Sequence, residues 1–99
     1  MAPLSGRQRR HLRALGCDLK ATIRVGRGGL TEPVLRSVEE AYHTAELVKA
    51  RLERACALDR AQAGRQLAQA TGSHLVQVLG RTILLYRADP ASPRIQLPP

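Results

Sequence analysis

The 99 residues predict an α+β fold, a two-layer sandwich of order αβαβαββ with three helices on a four-stranded mixed sheet. Three observations carry that prediction. Segments with apolar residues at helical spacing begin behind capping residues. Short runs between them alternate apolar and polar side chains with period two. A Gly-Arg pair then divides the last apolar stretch into two strands of a hairpin. An apolar fraction of 43% is enough for a packed interior, and the length suits one domain over 1–99. Its core should lie within about 4–88, with 89–99 as a proline-rich tail.

Ser5 and Gln8 have capping-box spacing, and helical periodicity follows to Gly16. On a helical projection Leu4, Leu12 and Leu15 share one arc, while Arg7, Arg9, Arg10 and Arg13 share another. Ala21 to Val25 reads as a strand. Thr31 is the expected N-cap of the second helix, with Pro33 in its first turn, where a missing N–H costs little. That helix has the cleanest stripe in the chain: Val34, Leu35, Val38, Ala41, Tyr42 and Ala45. Leu47 to Leu52 alternates Val48, Ala50 and Leu52 with Lys49 and Arg51, as a strand with one wet face does. Asp59, with Gln62 at the box position, opens a third helix that Gly72 stops. Its stripe is thin, mostly alanine plus Leu67, and Gly64 weakens it. Leu75 to Leu79 and Thr82 to Arg87 are two strands joined by Gly80-Arg81, a loop suited to a type II′ turn. Four of the six prolines lie in the tail, which can wrap the domain through Ile95 and Leu97 or remain mobile.

Sixteen Lys and Arg against eight Asp and Glu leave a net charge of +8. The first 30 residues hold seven basic groups and one acid, Asp18, so they carry most of it. Such an uneven balance points to a binding face for a polyanion rather than a generic solubilising surface. Tyr42 and Tyr86 are the only aromatics, which argues against base stacking on a ring platform and against an aromatic-lined small-molecule pocket. The apolar run Ile83-Leu84-Leu85-Tyr86 is far too short to span a bilayer, and no apolar export segment opens the chain. Cys17 and Cys56 form no CxxC or histidine-containing cluster, so reduced thiols and a cytoplasmic location are expected. No membrane partner, cofactor or metal is expected.

Gly26-Arg27-Gly28-Gly29 is the sharpest local feature. A glycine-rich turn between a strand and a helix lets backbone N–H groups approach a phosphate, and the helix N-terminus favours an anion. Arg27 at its tip supplies a guanidinium fork. The plainer reading is a tight turn that uses glycine for positive φ. The motif lacks the Lys-Ser/Thr of a nucleoside-triphosphate loop and the spacing of a dinucleotide fingerprint.

Val25-Gly26-Arg27-Gly28-Gly29-Leu30-Thr31-Glu32, Val76-Gln77-Val78-Leu79-Gly80-Arg81-Thr82 and Leu85-Tyr86-Arg87 resemble the CRM (CRS1–YhbY) RNA-binding domain family, above all its bacterial single-domain form. Leu4-Ser5, Glu46-Leu47-Val48-Lys49 and Ile95-Gln96-Leu97-Pro98 match in order, so the likeness runs over nearly the whole chain. It departs at Ala50, where a larger β-branched residue is expected, and in the alanine-rich third helix. The resemblance implies an α-β-α-β-α-β-β sandwich, similar to the C-terminal domain of bacterial translation initiation factor three. It also implies RNA binding without catalysis, and association with ribosomal RNA in large-subunit precursors. The GxxG loop, Gly26 to Gly29, is compared with that of KH domains, which clamp a nucleic-acid backbone.

The residues themselves extend that surface. Arg7, Arg10 and Arg13 on the first helix, Lys20 after it and Arg27 in the loop lie in one third of the chain. Arg24, Lys49 and Arg51 join them only if their strands pair in a suitable register. Without stacking aromatics, recognition should rest on phosphates and RNA shape. An enzyme is disfavoured, since His11, His43 and His74 are scattered and Glu39-Glu40 lies on a polar helix face. Duplex DNA is disfavoured for want of a helix-turn-helix with a basic second helix. The alternative is a protein-interaction module that docks on a ribosomal protein through a strand edge or the tail.

Overall fold

In the computed structural model, which describes residues 2–99, the elements follow the expected order. They are α1 (Gly6–Gly16), β1 (Ile23–Val25), α2 (Glu32–Ala41), β2 (Leu47–Leu52), α3 (Arg60–Thr71), β3 (His74–Leu79) and β4 (Thr82–Tyr86). Local chemistry accounts for the helix ends. The Ser5 hydroxyl accepts from the Gln8 amide, and the Gln8 side chain accepts from the Ser5 amide, so α1 opens on a closed capping box. Asp59 caps α3 by accepting from the Gln62 amide, and Gly72 closes it at φ 63°. At the hairpin only Gly80 takes a positive φ, 57°, and Arg81 does not, as a II′ turn requires.

The sheet order is β1-β2-β4-β3. β1 runs parallel to β2 through the α2 crossover, and β4 is antiparallel to both β2 and β3, so the sheet is mixed. β4 therefore lies inside the sheet, where Ile83, Leu84, Leu85 and Tyr86 are all buried. Their continuous apolar run is that of a strand covered on both faces.

Two apolar clusters flank the sheet, and they correct the expectation of two layers. On one face Ile23, Val25, Val48, Ala50, Leu52, Ile83 and Leu85 pack with Val38 and Tyr42 of the α2 side and Ala63, Leu67 and Ala68 of α3. On the other, Leu47, Val76, Leu84 and Tyr86 pack with Leu12 of α1. Odd and even residues of a strand point to opposite faces, so α1 cannot share a layer with α2 and α3. The apolar stripe of α1 narrows accordingly: Leu12 is fully buried, Leu4 half-buried, and Leu15 exposed. The thin stripe of α3 also has a use. A Cβ on Gly64 would stand 3.1 Å from Val78 Cγ2, so small residues let this helix approach β3 closely.

Smaller differences occur at the edges. β1 is shorter than expected, although the Thr22 amide already donates to the Lys49 carbonyl. α2 stops at Ala41, with Tyr42 as its C-cap and Ala45 beyond it. The tail wraps the domain, and a buried carboxylate holds it. Glu46 is 3% exposed and accepts from the amides of Asp89, Arg94 and Ile95 at 2.6, 2.8 and 2.7 Å. Ile95 and Leu97 then rest on the α1-side cluster, and the Gln8 side chain donates to the Pro98 carbonyl. Burial raises the Glu46 carboxyl, but the three amides and the Arg94 charge outweigh it and hold the group below the usual carboxylate range.

Two outcomes follow from this packing. Gly16→Ala should lower stability by about 1–2 kcal/mol despite its better helix propensity, because its Cβ would meet Leu84 Cδ2 at 2.6 Å. Urea unfolding measures this directly. Glu46→Gln should cost about 2 kcal/mol at neutral pH. The carboxylate's contribution is present above its unfolded pKa of about 4.3 and disappears as pH falls through the folded value. The gap between wild type and variant should therefore close in acid, while the amides of Arg94 and Ile95 lose hydrogen-exchange protection in the variant at neutral pH.

Candidate nucleic-acid interface

The loop after β1 divides its glycines between building and presenting. The Gly29 amide donates to the Gly26 carbonyl at 3.0 Å and closes a tight turn. Gly29 has φ 71° and is buried, with Leu58 Cδ1 3.3 Å from where a Cβ would stand. It is a scaffold residue. Arg27 and Gly28 are exposed at the tip, and among the described residues no carbonyl accepts from their amides. Thr31 has N-cap backbone geometry but makes no side-chain capping bond, so the first-turn amides of α2 stay open beside the loop. Glu32 occupies that first turn, exposed and 3.7 Å from Arg36.

Strand register supplies the second part. Arg24 pairs with Arg51 across the parallel β1–β2 ladder, and Lys49 lies two residues back on the same strand face. All three share the face that α1 partly covers. Lys20, Arg24, Lys49 and Arg51 line one open groove of about 380 Å³ together with Leu19, Ala21 and Thr82. Arg7, Arg10 and Arg13 are exposed on α1, on this side of the sheet. Arg9 is different. Its guanidinium donates to the Leu75 and Val76 carbonyls at the irregular part of β3, so it serves the fold.

A third set of cations gathers at the loop end of the sheet. The Glu53 amide donates to the Val25 carbonyl at 2.8 Å, which ties the segment after β2 to the start of the loop. Arg81 of the hairpin donates to the Glu53 carbonyl at 3.2 Å, and Arg60 donates to the Gly80 carbonyl at 3.4 Å. Arg54 is exposed beside them.

Residues 4–87 match the CRS1/YhbY (CRM) domain family. The chain belongs to the CRM domain family. It is 33% identical over 95 residues to "Probable RNA-binding protein YqeI" of Bacillus subtilis, covering 96% of this chain and 99% of that one. "Probable RNA-binding protein PA4753" of Pseudomonas aeruginosa is 36% identical over 87 residues, with 88% and 84% covered. The solution structure of SAV1595 from Staphylococcus aureus superposes with a TM-score of 0.82 at 32% identity, over 96% of this chain and 99% of that one. The CRM family is non-catalytic.

The end of this CRM domain opposite the loop is arranged for structure. Arg87 lies 4.2 Å from the Tyr42 ring centroid, donates to the Thr71 carbonyl and grips Glu39 through both nitrogens at 2.9 and 2.8 Å. Glu39 is thus not merely solvated, as its polar helix face suggests. Its hydrogen bond to Arg87 holds the carboxyl below the usual range, whereas burial pushes the Tyr42 hydroxyl up to about 12. His74 stacks on Tyr86 at 5.9 Å, Cys56 is buried and Cys17 exposed. Among the described residues, no three His, Cys, Asp or Glu side chains form a group able to hold a metal, and no helix is long and apolar enough to cross a membrane.

Sequence reasoning missed Arg54, Arg60 and Arg81. The Gly80-Arg81 turn was legible, but only the β2–β4 pairing carries it to the loop end. The two loop glycines separate experimentally. Gly29→Ala should destabilise the fold by about 1–2 kcal/mol through its left-handed backbone and its contact with Leu58. Gly28→Ala, whose Cβ would meet only the Thr31 methyl, should cost less than about 1 kcal/mol. Paired urea-unfolding curves test the difference.

Proposed function

We propose that this CRM domain is a non-catalytic RNA-binding protein whose partner is ribosomal RNA in large-subunit precursors, where it aids assembly. The observation that carries the reading is the convergence of Lys20, Arg24, Lys49 and Arg51 on one groove, on a domain whose exposed Arg27-Gly28 tip has open amides. The relatives named as probable RNA-binding proteins support it. The tip takes a phosphate through the Arg27 and Gly28 amides and the Arg27 guanidinium, while Gly26 and Gly29 shape the turn. The groove neutralises further phosphates along the strand, and Arg7, Arg10 and Arg13 extend the positive field. With cations in place of stacking rings, the contacts position a backbone and read little sequence.

A second reading has one observation in its favour. Leu15 and Leu19 are exposed beside Ala45, Leu47 and Ile95 in an apolar groove, which suits docking on a ribosomal protein. Nuclease treatment separates the two: association lost after RNase is RNA-borne, and association that persists is protein-borne.

An Arg27→Asp, Gly28→Asp double variant should fold like wild type by circular dichroism yet leave the large-subunit fractions of a sucrose gradient. Equal co-sedimentation of both proteins would remove the loop from the interface. Titrations of single-stranded RNA at rising salt should give a log–log slope near about −4 if roughly six phosphates are neutralised. A flat salt response would sink the phosphate reading.

A further inference from the structure

Of the acids at the loop end, Glu32 faces Arg36 and Asp59 caps α3, which leaves one more among the cations. Glu53 follows β2 directly, and its backbone is fully engaged by the fold. The amide donates to Val25, and the carbonyl accepts from the Cys56 amide and the Arg81 guanidinium. The carboxylate is used by none of this. Among the described residues it makes no ion pair and no hydrogen bond, although Arg54 adjoins it and Arg81 binds its carbonyl. The exposed side chain nevertheless reaches the base of the loop: Oε1 stands 3.1 Å from where a Cβ on Gly26 would lie. Gly26 leaves room for that oxygen, which a side chain there would crowd.

A carboxylate in such a place opposes phosphate binding by like-charge repulsion, so a surface built only for backbone charge gains nothing from it. It accepts hydrogen bonds and donates none. When a ribonucleotide's phosphate lies on the loop tip, the donor that RNA carries close to its phosphates and DNA lacks is the ribose 2′-hydroxyl. Base amino groups lie farther from the backbone, and the loop end has no aromatic ring to draw a base towards it.

Resting on the RNA-binding reading above, we propose that Glu53 is the residue by which the loop end discriminates RNA from DNA, accepting a hydrogen bond from a 2′-hydroxyl of the strand held at Arg27-Gly28. The repulsion it exerts on phosphates weakens binding to every nucleic acid, and the 2′-hydroxyl bond restores affinity for RNA alone. Selectivity then comes from a disfavoured contact with the wrong ligand as well as a favoured one with the right ligand.

The test measures Kd for single-stranded RNA, for DNA of the same sequence and for 2′-O-methyl RNA, using wild type, Glu53→Ala and Glu53→Gln. Wild type should bind RNA about tenfold more tightly than either DNA or the methylated strand, a difference worth one charged hydrogen bond. Glu53→Ala should reduce that preference to near unity while binding DNA more tightly than wild type does. Glu53→Gln, which keeps an oxygen acceptor without the charge, should retain a preference for RNA. If Glu53→Ala keeps the wild-type RNA-to-DNA ratio, the carboxylate is a solvated surface group and the inference fails while RNA binding stands. If wild type binds 2′-O-methyl RNA as tightly as RNA, no 2′-hydroxyl is donating to the carboxylate, and the inference again fails. If wild type binds none of the three strands, both readings fall together.

Discussion

The parallel pairing of β1 with β2 is the constraint on which the basic surface depends. β1 is only three residues long, yet its register puts Arg24 beside Arg51, and two residues further back Lys49 falls on the same face. The same ladder aligns the C-terminal ends of both strands, so the glycine loop leaves the sheet next to Glu53. Like charges side by side in a ladder repel, and no nearby acid pairs with Arg24 or Arg51 among the described residues. What holds the register is the opposite face, where Ile23, Val25, Ala50 and Leu52 are buried together. A slip by one residue would turn those side chains out to water and the cations into the core. The apolar face thus fixes the position of a charged face that could not hold itself.

Charge is sorted along the strands as well. At the loop end Arg27, Arg54, Arg60 and Arg81 remain without carboxylate partners among the described residues. At the other end acids are tied into structure: Glu39 into the Arg87 clamp and Glu46 into the tail. Glu46 shows how a small domain can lengthen its core. Three backbone amides satisfy a carboxylate that burial alone would neutralise, and in exchange the tail brings Ile95 and Leu97 onto the α1-side cluster. Small residues make a parallel contribution, since Gly16 and Gly64 let α1 and α3 approach the two faces of the sheet at close range.

Membership of the CRM family gives these features a common frame without assigning each one. Within the loop, structural and presenting roles fall on neighbouring residues. Gly29 is required by its own backbone and by Leu58, whereas Arg27 and Gly28 meet solvent. Arg9 and Arg10 show the same division on α1, one bonded to β3 carbonyls and the other exposed. Positive charge in a sequence is therefore a poor guide to which arginine is free.

Local chemistry in the sequence determined the order of the elements, the Ser5 and Asp59 caps, the Gly72 stop and the Gly80-Arg81 turn. Each depends on residues within a few positions of one another, and side-chain hydrogen bonds or backbone sterics decide such features without reference to the rest of the chain. The alternation in Leu47 to Leu52 likewise announced which side chains of β2 would be wet. Only the tertiary structure decided that α1 crosses to the opposite face from α2 and α3, and that Arg24, Lys49 and Arg51 share a groove with Lys20. It alone brought Arg81 to the carbonyl of Glu53, and the tail to the carboxylate of Glu46. These are choices of pairing, register and packing face between segments far apart in the chain, and periodicity within a segment says which residues are buried but not against what.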